Sequence, residues 1–217
     1  MPATTPIEYV VIVVEENHGL DNYFGTFPGA NGMAMAHSPV LHRCSRTVDP
    51  TKTPAQFALD AAAGKLPTVS WLYADTPLSE HPPDTPAEVK AGNGKVTKGS
   101  AWTAAPVAAV VKGGLWPKVA IFGTWDDWGG WYDHVNPPLL EKWTDGTQFR
   151  YGGRVLCLVL SPYAKGSFIS HAAHSHVSLL RFCENVFGLP SLNARTGADD
   201  GMADCFDFKQ KPLPPPV

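Results

Sequence analysis

Three stretches of the chain are almost continuously apolar and rich in Val and Ile: YVVIVV at 9–14, KVAIFGTW at 118–125 and RVLCLVLS at 154–161. Runs of that length, without polar alternation, predict strands covered on both faces. PTVSWLYA at 67–74 is a further strand candidate. Between these runs the apolar spacing turns helical. TPAQFALDAAAG has Thr53 as an N-cap, Pro54 in the first turn and Gly64 as a stop. TAAPVAAVVKGG predicts a helix from Thr103 to Gly113. HSHVSLLRFCENVFG predicts another, with Val177, Leu180, Cys183 and Phe187 on one face and Gly188 at its end. PPDTPAEVKAGNGKVTKG (82–99) reads as a loop, and KQKPLPPPV as a frayed tail. Strands alternating with helices predict an α/β fold with a mostly parallel sheet and helices on both sides. No internal repeat is present.

Composition narrows the classes. A chain of 217 residues, 44% hydrophobic and 17% charged, suits one globular domain with a sizeable core. Lys and Arg number 17 against 20 Asp and Glu, a net charge of −3 with no basic footprint for nucleic acid. No apolar run approaches the ~20 residues of a membrane helix, so no stable membrane insertion is expected. The N-terminus lacks a basic segment and a signal-type apolar core, so the chain as written is expected in the cytoplasm. Cys44, Cys157, Cys183 and Cys205 show no CxxC spacing. Cys157 and Cys183 sit in apolar contexts as buried thiols, and a Cys183–Cys205 bond is left open.

The candidate chemistry collects at strand ends, where open α/β sheets place their ligands. The first strand runs into Glu15, Glu16, Asn17 and His18. The strand at 118–125 runs into TWDDWGGWYDHV, which packs three Asp, one His and three Trp into residues 124–135. PTVSWLYA leads through a short loop to His81, held before Pro82 and Pro83. Adjacent carboxylates such as those of Asp126 and Asp127 repel one another when ionised unless a cation lies between them. Each group also has a plainer reading. Glu16-Asn17 suits a surface loop or a helix start, and Asp126-Asp127 suits a helix N-terminus, although Gly129-Gly130 points to a sharp turn instead. Asp133-His134 reads as a carboxylate orienting an imidazole or as a solvated pair. His81 reads as functional or as an ordinary loop histidine. His171, His174 and His176 precede a helix, with His174 or His176 placed to face the site. Oxygen ligands favour a hard divalent ion, and nearby His widens the choice among Ca, Mg, Mn, Fe and Zn.

Taken together, EENHGLDNYFGTFPG (15–29), EHPP (80–83), WDDWGGWYDHVNPP (125–138), GGRVLCLVLSPYAKGSFISH (152–171) and HSHVSLLRFCENVFGLPSLNAR (174–195) resemble the bacterial phosphoesterase family. That family holds phospholipases C and acid phosphatases within the alkaline phosphatase superfamily. The resemblance implies a three-layer αβα sandwich over residues 1–211, followed by the Pro-rich tail 212–217. It implies a metal-dependent hydrolase of phosphate esters, acting on a phospholipid or a small-molecule phosphate ester. Metal binding falls to Glu16, Asn17, Asp126 and Asp127. His81 matches the His-Pro motif as phosphoryl contact or general acid, and Asp133 and His134 match the Tyr-Asp-His-Val element. Many members of the family are exported, so a missing N-terminal signal is left open.

One departure bears on activity. The family's nucleophilic Ser or Thr stands in a Gly-Pro-Ser/Thr-x-Pro-Asn context, which occurs nowhere in this chain. Ser38, Ser45, Thr47 and Thr51 lie near the junction without that context. The chain therefore reads as an internally truncated member, shortened near 38–56, with its nucleophile unknown. Three readings follow: a phosphoesterase with a hydroxyl nucleophile, a remnant that binds metal or phosphate without turnover, or a hydrolase attacking with metal-bound water.

Overall fold

The computed structural model describes residues 5–16, 18, 54–75, 77–142 and 145–216. Asn17, Cys44, the proposed cap Thr53 and all of the junction up to residue 53 lie outside the described residues. In chain order the strands are β1 (Tyr9–Glu15), β2 (Val69–Tyr73), β3 (Val119–Trp125), β4 (Leu139–Lys142), β5 (Gln148–Arg150) and β6 (Cys157–Leu160). The helices are α1 (Pro54–Ala62), α2 (Pro86–Ala91), α3 (Val96–Lys112), α4 (His176–Phe187) and α5 (Ala194–Ala198). The main sheet has the order β2-β1-β3-β6, and β4 and β5 form a separate antiparallel hairpin. β1 pairs in parallel with both β2 and β3, whereas β6 runs antiparallel to β3.

Side chains alternate across the sheet, and two cores result. Val11 and Val13 face α1 and α3, meeting Phe57, Ala61, Trp102 and Val110. Val10, Ile12 and Val14 face α4 and the C-terminal segment, meeting Leu179, Phe182, Met202 and Phe206. The expected α/β sandwich with a mostly parallel sheet is therefore present, its β1 and β3 buried on both faces.

Several boundaries differ from the expectation, each for a local reason. β6 covers four residues rather than 154–161 and lies at the sheet edge, where Leu158 is 43% exposed. Residues 154–156 leave the ladder because Arg154 is drawn to Asp133. The stretch 82–99 is not a loop. It contains α2, nucleated by a capping box in which Thr85 Oγ1 accepts from the Glu88 N–H and Glu88 accepts from the Thr85 N–H. α3 begins at Val96 rather than Thr103, and Lys95 before it makes no side-chain cap. Gly99 lies inside this helix because a Cβ there would stand 2.4 Å from Glu80 Cγ. On α4 the inward stripe is Leu179, Phe182 and Cys183, with Phe187 packed against it as expected, rather than Val177 and Leu180; Leu180 is exposed. Phe182 sets that rotation, packing edge-on against Phe122 with ring centroids 4.9 Å apart.

Cys157, Cys183 and Cys205 are free thiols, so the Cys183–Cys205 bond is not formed. The tail is not frayed at its start. Trp116 Nε1 donates to the Leu213 carbonyl at 2.9 Å, and the Leu213 N–H donates to the Pro162 carbonyl at 2.9 Å. Among the described residues no helix is long and apolar enough to cross a membrane.

Candidate functional site

The register of β1 on β3 places Glu15 opposite Trp125. The two chains leave the sheet side by side, and one more ladder bond, from the Asp126 N–H to the Glu15 carbonyl at 2.9 Å, extends the pairing. Glu16 and Asp126 therefore emerge together at the carboxyl end of adjacent parallel strands. Period-2 alternation sends Glu15 and Glu16 to different surroundings. Glu15 is buried beside α3, and Glu16 is half-buried at the strand ends. Burial pushes the Glu16 carboxyl up, and the charges of Asp126 and Asp127 push it further, while His81 opposes them. The structure thus brings Glu16, Asp126, Asp127 and His81 within electrostatic reach of one another.

The turn after β3 holds the aspartates in place. The Asp127 N–H donates to Asp126 Oδ1 at 2.7 Å, and the Gly129 N–H donates to Asp127 Oδ1 at 2.6 Å. Gly129 and Gly130 both take positive φ, +66° and +73°, which turns the chain at once and rules out a helix there.

His81 is half-buried, and its Nδ1–H donates to the Pro82 carbonyl at 2.6 Å. A carbonyl only accepts, so that bond assigns the proton to Nδ1 and leaves Nε2 as the working nitrogen. Its neighbour Glu80 is buried, and Glu80 Oε2 accepts from Trp125 Nε1 at 2.9 Å. His18 Nε2 donates to the Glu80 carbonyl at 3.3 Å, and its ring stacks on Trp131 with centroids 6.3 Å apart. These contacts tie the loops after β1, β2 and β3 into one rim. His176 joins it from the first turn of α4, with Nε2 donating to the Trp125 carbonyl at 2.8 Å. His174 points elsewhere, toward Asp204 and Asp200.

Asp133 and His134 are organised around an arginine. Arg154 donates to Asp133 from Nε at 2.9 Å and from Nη2 at 2.7 Å, and its backbone N–H adds a bond of 2.7 Å. Burial alone would raise the Asp133 carboxyl, but these bonds and the Val135 N–H hold it below the usual carboxylate range. Arg154 Nη2 then lies 3.5 Å from His134 Nδ1. Arg154 Nη2 thus bridges Asp133 and His134.

Glu15 is a separate feature. Thr103 Oγ1 donates to Glu15 Oε1, while Oε2 is buried without a hydrogen-bond partner. Burial is the main cause that pushes its carboxyl up to about 7, with Glu80 and Glu16 adding to it. It lines a mostly apolar cleft of about 870 Å³ between α3 and the β3–β6 edge, walled by Val107, Val111, Leu158 and Leu160.

Sequence reasoning singled out the strand-end carboxylates and His81, but not Glu80, Arg154 or the burial of Glu15. The alternation of β1 carries the Glu15 signal, since Glu15 shares a face with Val11 and Val13. Glu80 and Arg154 fall within the EHPP and GGRVLCLVLS segments, but tertiary contacts rather than local spacing set what they touch.

A family model described as the Phosphoesterase family matches residues 36–190. Phospholipase C A of Mycobacterium tuberculosis (strain ATCC 25618 / H37Rv) is 30% identical over 224 residues, covering 92% of this chain and 41% of that protein. Phospholipase C B of the same strain is 30% identical over 226 residues, 93% of this chain and 42% of its own length. The non-hemolytic phospholipase C of Pseudomonas aeruginosa is 29% identical over 178 residues, 69% of this chain and 24% of its own. The chain thus spans well under half the length of these relatives.

Proposed function

The chain belongs to the phosphoesterase family, and from that premise we propose that it is a hydrolase of phosphate ester bonds that works with a divalent cation. The observation that carries this reading is the meeting of Glu16, Asp126, Asp127 and His81 at the carboxyl ends of β1 and β3. Three carboxylates within electrostatic reach of one another, one of them half-buried, offer the oxygen donors a hard divalent ion takes. Glu16, Asp126 and Asp127 would hold it, with Asn17 completing the set. When bound, such an ion neutralises charge on the phosphoryl oxygens. His81, its Nδ1 proton committed to the Pro82 carbonyl, presents Nε2 to a phosphoryl or leaving-group oxygen. Arg154, fixed by Asp133, contacts His134 and helps to position it. A phospholipid or a smaller phosphate ester is the substrate class.

The absence of a Gly-Pro-Ser/Thr-x-Pro-Asn segment from the sequence favours a second reading, cation and phosphate binding without turnover. One experiment separates the two. Chelator-treated protein is assayed on p-nitrophenyl phosphate and p-nitrophenylphosphorylcholine with Ca, Mg, Mn or Zn restored, and cation and vanadate binding are measured by calorimetry. Cation-dependent turnover lost in Glu16→Gln and Asp126→Asn supports the hydrolase. Binding without turnover supports the second reading. If His81→Ala abolishes vanadate binding and spares the cation, His81 is the phosphoryl contact. Absence of cation binding overturns both readings.

A further inference from the structure

Away from the strand ends, the loop before α4 meets a short 3-10 turn, Ala203–Cys205, at the C-terminal side of the molecule. His174, Asp204 and Cys205 converge there, with one ligand atom from each lying within 4.8 Å of the others. We propose that these three residues form a second metal site, selective for zinc, distinct from the hard-ion site proposed at Glu16 and Asp126.

The distances carry the argument. Zinc bonds of ~2.0–2.1 Å to nitrogen, ~2.0–2.2 Å to oxygen and ~2.3 Å to sulfur give tetrahedral edges of about 3.3 Å for N–O and about 3.5 Å for S–O. His174 Nε2 stands 3.1 Å from Asp204 Oδ1, and Cys205 Sγ stands 3.5 Å from the same oxygen. The two edges that meet at Asp204 Oδ1 are already at ligand spacing. Ser170 Oγ lies 3.3 Å from His174 Nε2 and donates to Asp204 Oδ2, so a hydroxyl adjoins two of the three donor residues.

The imidazole supports the same assignment. His174 has a carboxylate oxygen at each nitrogen, Asp204 at Nε2 and Asp200 at Nδ1, the latter at 3.3 Å. A neutral imidazole has one proton and cannot satisfy both. Nδ1 is buried and makes no well-formed hydrogen bond. An imidazolium would serve both carboxylates; a cation on Nε2 in place of the second proton leaves the single proton on Nδ1, facing Asp200 Oδ1 at 3.3 Å. That is the carboxylate–histidine–metal arrangement which fixes tautomer and ring orientation. The thiol decides the metal, since sulfur selects zinc over magnesium or calcium. Occupancy would clamp the loop that carries His174, just before α4, to the segment whose Phe206 packs on Phe122 and Phe182.

Cobalt(II) titration of the full chain tests this. A thiolate-to-cobalt absorption band in the near ultraviolet is expected at one equivalent. It should vanish in Cys205→Ser and persist in Asp126→Asn. In competition with a chromophoric zinc chelator, Asp200→Asn keeps every ligand yet should lose roughly 10–100-fold in affinity. That milder variant keeps the test valid if Cys205→Ser does not fold. No thiolate band, a band unchanged in Cys205→Ser, or unchanged zinc affinity in Asp200→Asn would each overturn the site.

Discussion

Replacing Asp133 by Asn tests whether this carboxylate positions its neighbours or reacts. The side chain is 7% exposed and Arg154 is 26% exposed, so the pair is largely shielded from water. Asp133 accepts two side-chain donors and the backbone N–H of Arg154, and the Val135 N–H at 2.9 Å as well. Breaking a buried pair by removing one partner costs ~3–5 kcal/mol. Partial solvation of Arg154 places this case at the low end, about 3 kcal/mol. For a chain of this size that lowers Tm by roughly 6–12 °C. Urea unfolding followed by circular dichroism would be run on wild type, Asp133→Asn, Arg154→Gln and the double variant. A coupling energy near 2 kcal/mol is expected, since both single variants break one interaction. The pH dependence has a definite sign. The folded carboxyl is held low, so its contribution is complete above the unfolded value of about 3.9 and is lost as pH falls through the folded value. Losses below about 0.5 kcal/mol, additive in the double variant and accompanied by a fall in turnover, would refute the positioning role.

Three other outcomes are expected. In chelator-treated protein, stability should be greatest near pH 4.5 and fall as pH rises through about 7, because the folded state holds the Glu15 proton more tightly than the unfolded chain. The full loss is on the order of 3 kcal/mol, and it should be absent from Glu15→Gln; an unchanged slope there would refute the assignment. Gly99→Ala should destabilise by about 1–3 kcal/mol despite alanine's helix propensity, because the new methyl meets the buried Glu80 side chain; a gain in stability would show that Glu80 yields. Burial pushes the Cys183 and Cys205 thiols up to about 11 and about 12, so Ellman's reagent should react with them only after denaturation. A native mass two hydrogens short of the reduced chain would show a disulfide instead.

β1 and β3 were legible because a seven-residue strand buried on both faces leaves no room for polar alternation. RVLCLVLS has the same appearance, yet β6 is a short antiparallel edge strand. An apolar run records burial but not direction or neighbours. α2 carried a readable start in Thr85 and Glu88, hidden because the helix buries no residue and so shows no apolar stripe. The face of α4 was misjudged because Val177 and Leu180 are as apolar as Leu179, and Phe122 and Phe206 across the interface decide between them. At the candidate site, adjacent carboxylates at two strand ends announced themselves. Arg154 lies 21 residues from Asp133, and no local pattern links them.

The parallel run of β2, β1 and β3 also gives the molecule two ends with different tolerances. Glu16, His81 and Asp126 crowd one end, while the other carries the exposed Glu8–Lys118 ion pair of 2.7 Å and the exposed turn at Gly64 and Lys65. A fluorophore, an affinity handle or a surface linkage introduced at Lys65 or Lys118 would sit a full strand length from the chemistry. Immobilised by that end, every copy would present its carboxylate rim outward.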